Sequence, residues 1–352
     1  MAPLMKAWQY TKGTSAQTLV GKLEDSLTLN SSASAPETSA LTKDQFIVEI
    51  VAAAINPIDY KTPESDWLGK SFALGKDAQP GLDFSGRIIG KHPDNTVFIE
   101  GQDVFGSLAM PSKYGALGRF VIASTSELSA MPLGISFDNA AALGISAGTA
   151  HKSLPPDVVK PGSQIFINGG SGGVGTFTIQ FAKIMGARVT VSCSTANIEL
   201  VRSLGADDVI DYKKTDVLAE LKRLGRVFDV AIDNVGTPKN LYERSAEFLK
   251  KRGSYVQVAA NPTFADTYPL LMKMIMSTLG GCLTPGFKFV TGRATRDDFN
   301  TFGRWVEEGR LKPVISETFK FEDVPEAYAK LREGRARGKI ILHVATITAK
   351  NS

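Results

Sequence analysis

Cysteine and histidine are scarce in this chain of 352 residues, at two and three. Cys193, Cys282, His92, His151 and His343 cannot supply a disulfide framework or a cysteine-rich zinc site, and two reduced thiols suit the cytosol. Charge of one sign is also lacking. The net charge is only +4, spread without a basic block, so nucleic acid is not an expected partner. No long hydrophobic run occurs: the stretch from Tyr268 to Cys282 is broken by Lys273 and Gly280, and no membrane span is expected. The opening MAPLMKAWQYTKG has no apolar core or small-residue cleavage site, so no signal peptide is expected and the cytoplasm is the expected compartment. What the chain does have, 43% hydrophobic and 22% charged residues, is enough for a sizeable core, and its length suits about two domains.

The first third reads as β-rich. Phe46 to Ile55 is a β-branched run ended by Asn56-Pro57, and Asn30 to Thr42 reads as a solvated Ser/Ala/Pro loop. Short apolar runs at Gly86–Ile89, Thr96–Ile99 and Phe120–Ile122, set between turn signals, suggest a small antiparallel barrel or sandwich. From Phe137 the rhythm changes. Strands at Gln164–Asn168, Arg188–Cys193, Val209–Tyr212, Val227–Asn234 and Ser254–Ala259 alternate with helical patterns at Thr176–Met185, Asn197–Leu204, Asp216–Leu224 and Leu241–Leu249. That alternation implies βαβ units and a parallel sheet covered on both faces. The tail adds helices at Arg296–Gly309 and Val324–Arg332 and strands at Ile315–Phe321 and Lys339–Val344.

Gly170-Ser171-Gly172-Gly173-Val174-Gly175 fits G-x-G-x-x-G directly after the first of those parallel strands. Gly170 would allow the tight turn, Gly172 would let backbone approach a pyrophosphate, and Gly175 would let the helix pack closely. Helix N-terminal amides then favour the phosphates. At the end of the second strand an NAD site would place a carboxylate on the ribose 2′-hydroxyl. Here Ser194, Thr195 and Asn197 stand instead, with no carboxylate before Glu199, and they can donate to a 2′-phosphate. NADPH is therefore the expected coenzyme. Ser194 and Thr195 could equally cap the following helix.

At this point the sequence resembles the medium-chain dehydrogenase/reductase superfamily, in its zinc-free quinone oxidoreductase and enoyl reductase branch. Among subgroups it is similar to fungal reductases related to mitochondrial NADPH oxidoreductases and Yim-type proteins. The resemblance is carried by Asn56–Lys61, Gly81–Gly86, Ala140–Leu143 with Gly148–Ala150, the glycine turn, Leu204–Asp207 with Asp211-Tyr212, Gly309–Ile315 and Gly334–Leu342. It implies a GroES-like β-rich catalytic domain, residues 1–135 and 310–352, with an inserted Rossmann coenzyme domain, residues 136–309. It also implies no metal. Where the superfamily's zinc enzymes carry cysteine, histidine–glutamate and cysteine ligands, this chain has Asn56, Leu82 with Asp83, and Ser146.

The chemistry implied is hydride transfer to quinones or to the C=C of α,β-unsaturated carbonyl compounds. Its rivals are a trans-acting enoyl-thioester reductase of fatty-acid or polyketide synthesis and a non-catalytic NADPH-binding regulator. Tyr60, Asn56, Asp59 and Lys61 are the candidate catalytic residues, Tyr60 as proton donor. For Asn56 and Asp59 a plain N-P-x-D turn is the competing reading. His151 ranks below Tyr60, as a packed helix residue. Tyr212, Asn234, Val258, Ala259, Ala260, Gly338 and Lys339 complete the implied coenzyme and cleft residues. Asn197 departs from the lysine common in bacterial members. The expected partner is a small molecule, and since relatives include dimers and monomers, a homodimer stays open.

Overall fold

The computed structural model describes residues 3–10, 21–65, 78–110, 112–258, 272–273, 275 and 285–345. In chain order the first stretch gives β1 (Leu4–Tyr10), β2 (Leu27–Ser34), β3 (Gln45–Ile55), α1 (Pro57–Lys61), β4 (Asp83–Lys91), β5 (Asp103–Ser107), β6 (Phe120–Ser124), β7 (Leu128–Ala130), α2 (Phe137–Ala141) and α3 (Ile145–Lys152). There follow β8 (Gln164–Asn168), α4 (Gly173–Ile184), β9 (Arg188–Cys193), α5 (Ile198–Ser203), β10 (Asp208–Asp211), α6 (Val217–Leu224), β11 (Phe228–Asp233), β12 (Leu249–Gln257) and β13 (Gly286–Phe289). The chain ends with α7 (Arg296–Glu307), β14 (Ile315–Lys320), α8 (Val324–Arg332) and β15 (Lys339–His343).

Two compact units result, Met1–Gly148 with Arg293–Ser352, and Thr149–Gly292. The second unit is therefore shorter than the 136–309 expected from the resemblance. The reason is packing: Phe299 of α7 meets Phe105 of β5 edge to face at 5.4 Å, and Asn300 Oδ1 accepts from Ser129 Oγ of β7 at 2.6 Å. Those contacts bind α7 to the first unit, where burial of aromatic rings stabilises by about 0.5–1.5 kcal/mol per pair beyond area.

In the first unit a mixed sheet runs β14-β15-β3-β4-β5-β7, with β6 also paired to β3. β3 is its spine. Its first half pairs with β6, and its second half, Ala52–Ile55, pairs antiparallel with β15. Phe46, Ile50, Phe84, Ile88, Val104 and Leu128 fill the core over which it curls. The expected loop at Asn30–Thr42 is corrected here, because Asn30–Ser34 belongs to β2, paired antiparallel with β1. Ala33 is buried beside Met5, Ala7 and Ala35, so pairing and burial override the poor strand propensity of Ser and Asn. Thr96–Ile99 forms no strand.

The second unit holds six parallel strands in the order β10-β9-β8-β11-β12-β13. Numbered from β8, that is 3-2-1-4-5-6, the order of a doubly wound dinucleotide fold, whose ligands lie at the carboxyl ends of the strands. Ile165, Ile167, Val189, Val191, Val230 and Ile232 on one face and Phe166, Thr190 and Ala231 on the other are all buried, as a sheet covered on both faces requires. The helix expected at Leu241–Leu249 is absent. Leu241 and Phe248 are buried at helical spacing, but successive turns and a single 3-10 turn at Ser245–Glu247 place them, and Leu249 already begins β12. Phe287 packs on Tyr242 and Tyr255, with centroids 4.8 and 6.1 Å away, and belongs to this unit's core.

Candidate coenzyme and active site

β8 delivers the glycine turn to the carboxyl edge of the second unit's sheet. The left-handed residue is Gly169, with φ of 79°, one place before the position expected to make the tight turn. Gly170 instead is needed because a Cβ there would lie 2.1 Å from Val191 Cγ1. At Gly175 a Cβ would fall 2.3 Å from the Gly169 carbonyl oxygen, so the helix start lies directly on the turn. At Gly172 the nearest atom to an added Cβ is 4.0 Å away. This is a cradle with open space at one glycine and none at its neighbours. Gly172 caps α4, whose twelve residues end in free N-terminal amides suited to an anion.

A buried polar network, not read from the sequence, holds this turn. Asn168 Nδ2 donates to Asp233 Oδ1 at 2.9 Å and to the Thr237 carbonyl at 2.8 Å. Ser192 Oγ donates to Asn168 Oδ1 at 2.5 Å and accepts from Gly169 N at 3.1 Å. Tyr255 Oη donates to Asp233 Oδ2 at 2.8 Å, and burial pushes that phenol far above its ordinary pKa, so it stays protonated. Beside it, Nδ2 and Oδ1 of Asn234 are both buried without a hydrogen-bond partner among the described residues. An orphaned buried amide costs about 1–3 kcal/mol, a debt that a polar ligand at the strand ends would settle. Open space at Gly172 and the orphaned Asn234 amide fit a dinucleotide coenzyme. Val258 closes onto the Asp233 carbonyl at 2.9 Å, while Ala259 and Ala260 lie outside the described residues.

Around the expected 2′-phosphate position the structure corrects one premise. A carboxylate is present, supplied by β10 rather than β9. Asp211 stands in register with Cys193, and Thr195 Oγ1 donates to its Oδ2 at 2.6 Å. That hydrogen bond holds the Asp211 carboxyl below its usual range, so it is ionised at neutral pH. Asn197 Nδ2 donates to Ser171 Oγ at 2.8 Å, tying this loop to the glycine turn, and Ser194 flanks the 3-10 turn Thr195–Asn197. Lys213 Nζ lies 5.6 Å over the ring of Tyr212, which is half exposed. The signal for Asp211 was its place at the end of the strand beside β9.

In the first unit, α1 begins at Asn56, where proline enforces the turn and Asn56 N donates to Asp59 Oδ2 at 2.8 Å. The side chain of Asn56 is buried and fully engaged. Its Nδ2 donates to Asp83 Oδ2 at 2.8 Å and to the Ala54 carbonyl at 3.4 Å. Its Oδ1 accepts from Lys339 Nζ and, at 3.5 Å, from Ser146 Oγ. Lys339 donates further to Asp83 Oδ2 and Ile55 O, at 3.3 and 3.2 Å, which uses its three N–H groups. Lys339 therefore has no donor left for a coenzyme. It follows Gly338, whose φ of 98° turns the chain into β15. Asp59 is buried as well. Burial, with the Asp83 carboxylate adding to it, pushes its pKa up to about 7. With Gln79, Tyr10, Thr62 and Leu82 it lines a cavity of about 30 Å³.

Asn56 and Asp59 are thus buried, and of the four catalytic candidates Tyr60 and Lys61 are partly exposed. The Arg332 guanidinium lies 4.1 Å over the Tyr60 ring, and the Tyr60 hydroxyl has no hydrogen-bond partner among the described residues. Partial burial raises its pKa against the opposing pull of Arg332, so the phenol keeps its proton at neutral pH. His151 meets Phe181 edge to face at 5.8 Å, in packing. The residues at the superfamily's metal positions do not fit a zinc ion. An amide, a carboxylate and a hydroxyl surround an ammonium, and no cluster of three or more His, Cys, Asp or Glu side chains occurs among the described residues.

The comparisons agree with this architecture. A family model described as zinc-binding dehydrogenase matches residues 204–342. A trans-enoyl reductase, pgmF of Aspergillus terreus, is 41% identical over 97% of this chain and 96% of its own. The 2-methylene-furan-3-one reductase of Solanum lycopersicum is 32% identical over 96% of this chain and 79% of its own. Among solved structures, the quinone oxidoreductase from Coxiella burnetii superposes with a TM-score of 0.82 at 26% identity, covering 97% of this chain and all of that one. Likeness running nearly end to end, with one unit built on a parallel sheet of six strands and the other on a mixed β-rich sheet, makes this chain an oxidoreductase of the medium-chain dehydrogenase/reductase superfamily, within its quinone and enoyl reductase branch.

Proposed function

We propose that the protein is an NADPH-dependent, zinc-independent reductase of carbon–carbon double bonds conjugated to a carbonyl group. The observation that carries this reading is the cradle itself: a glycine turn open at Gly172 and closed at Gly170 and Gly175, on the carboxyl edge of a 3-2-1-4-5-6 sheet. Likeness to a trans-enoyl reductase favours enoyl thioesters among the substrates, ahead of quinones. When bound, the reduced nicotinamide supplies the hydride. The chain's own part is to bind the pyrophosphate on the amides of Gly172 to Gly175, to hold the coenzyme amide and hydroxyls with Asn234 and Val258, and to provide a proton. Tyr60 Oη is that donor: a neutral phenol with a free hydroxyl, beside a guanidinium that stabilises negative charge as the proton leaves. An enolate spreads its charge onto oxygen, where such a donor is sufficient. No part of this scheme calls on Asn56, Asp59 or a metal.

Loss of reduced-nicotinamide absorbance in the presence of enoyl thioesters, enones and quinones tests the reading. Binding of coenzyme with no oxidation by any of them would instead favour a non-catalytic binding protein. Tyr60→Phe is expected to lower turnover by about 10²–10⁴-fold while coenzyme affinity stays unchanged. Equal turnover in that variant removes Tyr60 as the donor.

Coenzyme choice has its own test. The Asp211 carboxylate opposes a 2′-phosphate, and a pair of unit charges about 4 Å apart in water-like surroundings is worth ~1 kcal/mol. Asp211→Asn is therefore expected to tighten NADPH about fivefold at low salt and to leave NADH unchanged, as read by titration calorimetry. The same shift for both coenzymes would place the 2′ position elsewhere.

A further inference from the structure

Lys339 opens β15, yet its charge is not at the surface. The side chain is 2% exposed, and that of Asp83 beside it is 0% exposed. Three elements supply oxygens to the ammonium: the end of β3 through Ile55 O, the start of α1 through Asn56, and the start of β4 through Asp83. A fourth, α3, backs these partners, Ser146 reaching Asn56 and the Ile145 N–H donating to Asp83 Oδ1 at 2.9 Å. An ion buried this completely is retained only when its partners are fixed and its donors filled, and both hold here.

The geometry points to a built cation site, formed by Ile55 O, Asn56 Oδ1 and Asp83 Oδ2, which the chain fills with its own Lys339 ammonium. The three oxygens meet a primary ammonium through three N–H bonds, so the ligand class is a small primary ammonium with a short alkyl stem. In this account the ammonium organises the pocket. It holds Asn56 in the orientation that starts α1, and it compensates the Asp83 carboxylate that α3 uses as its acceptor. The site does not depend on the proposed reaction.

Lys339→Ala removes the propylammonium portion of the side chain, and n-propylammonium chloride is the probe. Melting is followed by tryptophan fluorescence, because Trp8, Trp67 and Trp305 all fall in the first unit's sequence and none in the second's. The expected result is a much lowered Tm for Lys339→Ala, raised saturably by n-propylammonium by about 3 °C or more, with no such rise in the parent protein. Sodium chloride at matched ionic strength, and tetramethylammonium, which has charge but no N–H, are expected to give no selective rise. A response common to all three salts, an equal rise in the parent, or no rise at all overturns the proposal. Should Lys339→Ala not fold in any of them, Lys339→Met is compared with Lys339→Met/Asp83→Asn. Recovery of folded protein on removing the second charge supports the cation site, and failure of both variants alike overturns it.

Discussion

Gly175→Val is expected to abolish useful coenzyme binding, raising Kd by about 100-fold or more, which corresponds to ~2.7 kcal/mol. The cause is geometric. A Cβ at this position would lie 2.3 Å from the Gly169 carbonyl oxygen and 2.7 Å from the Gly170 carbonyl carbon, both backbone atoms that cannot step aside as a flexible side chain would. The turn must open, α4 must slide away from it, and the amides that face the pyrophosphate lose their common aim. Overpacking of this kind also costs about 1–3 kcal/mol of stability, so melting should fall together with affinity. Gly172→Ala is the informative partner. Its methyl meets nothing closer than 4.0 Å, so folding should be untouched while affinity drops, since the added carbon enters the space meant for phosphate. Calorimetric titration together with thermal melting of both variants checks this. Unchanged coenzyme affinity in Gly172→Ala would show that the pyrophosphate lies elsewhere.

Asp83→Ala is expected to destabilise the first unit by about 3–5 kcal/mol, the range for stripping one partner from a buried ion pair. The loss has several parts. Lys339 loses the carboxylate oxygen 3.3 Å from its Nζ, while Asn56 Nδ2 and the Ile145 N–H lose acceptors at 2.8 and 2.9 Å. Asp83→Asn keeps the shape and one acceptor oxygen but turns an amide NH2 toward donors that the second oxygen now serves, so it should recover only part of the loss. Urea unfolding followed by tryptophan fluorescence reads both variants in the unit concerned. A midpoint for Asp83→Ala within error of the parent would mean that the carboxylate does not hold the lysine in solution.

Much of the coenzyme-binding unit could be read directly from local pattern. Alternating strand and helix patterns and a glycine turn at a fixed offset are short-range signals, and β8 and β9 fall on the residues that the apolar runs mark. The β-rich unit was legible only as a class. Its strand β2 carries Asn and Ser where propensity argues for loop, and only pairing with β1 makes it a strand. The candidate site divides along the same line. The cradle is local and was visible, although the left-handed residue is Gly169 rather than Gly170. The Asn56–Asp83–Ser146–Lys339 cluster joins residues up to 283 positions apart, and no periodicity encodes such a contact. Asp211 was missed for a related reason: the 2′ region was read along one strand, whereas the carboxylate arrives from the neighbouring one.

The order of strands in the mixed sheet has a consequence for synthesis. β15, made almost last, lies between β14 and β3, so the spine strand lacks one of its neighbours until residue 343 has emerged. The Thr149–Gly292 unit is continuous and meets no such delay. A nascent chain growing at roughly 5–20 residues per second can therefore complete its second unit while the first still waits for a strand from the far end, with Asp83 unpaired until Lys339 arrives. Vectorial translation thus reverses the apparent order: the earlier-written unit is the later one to close.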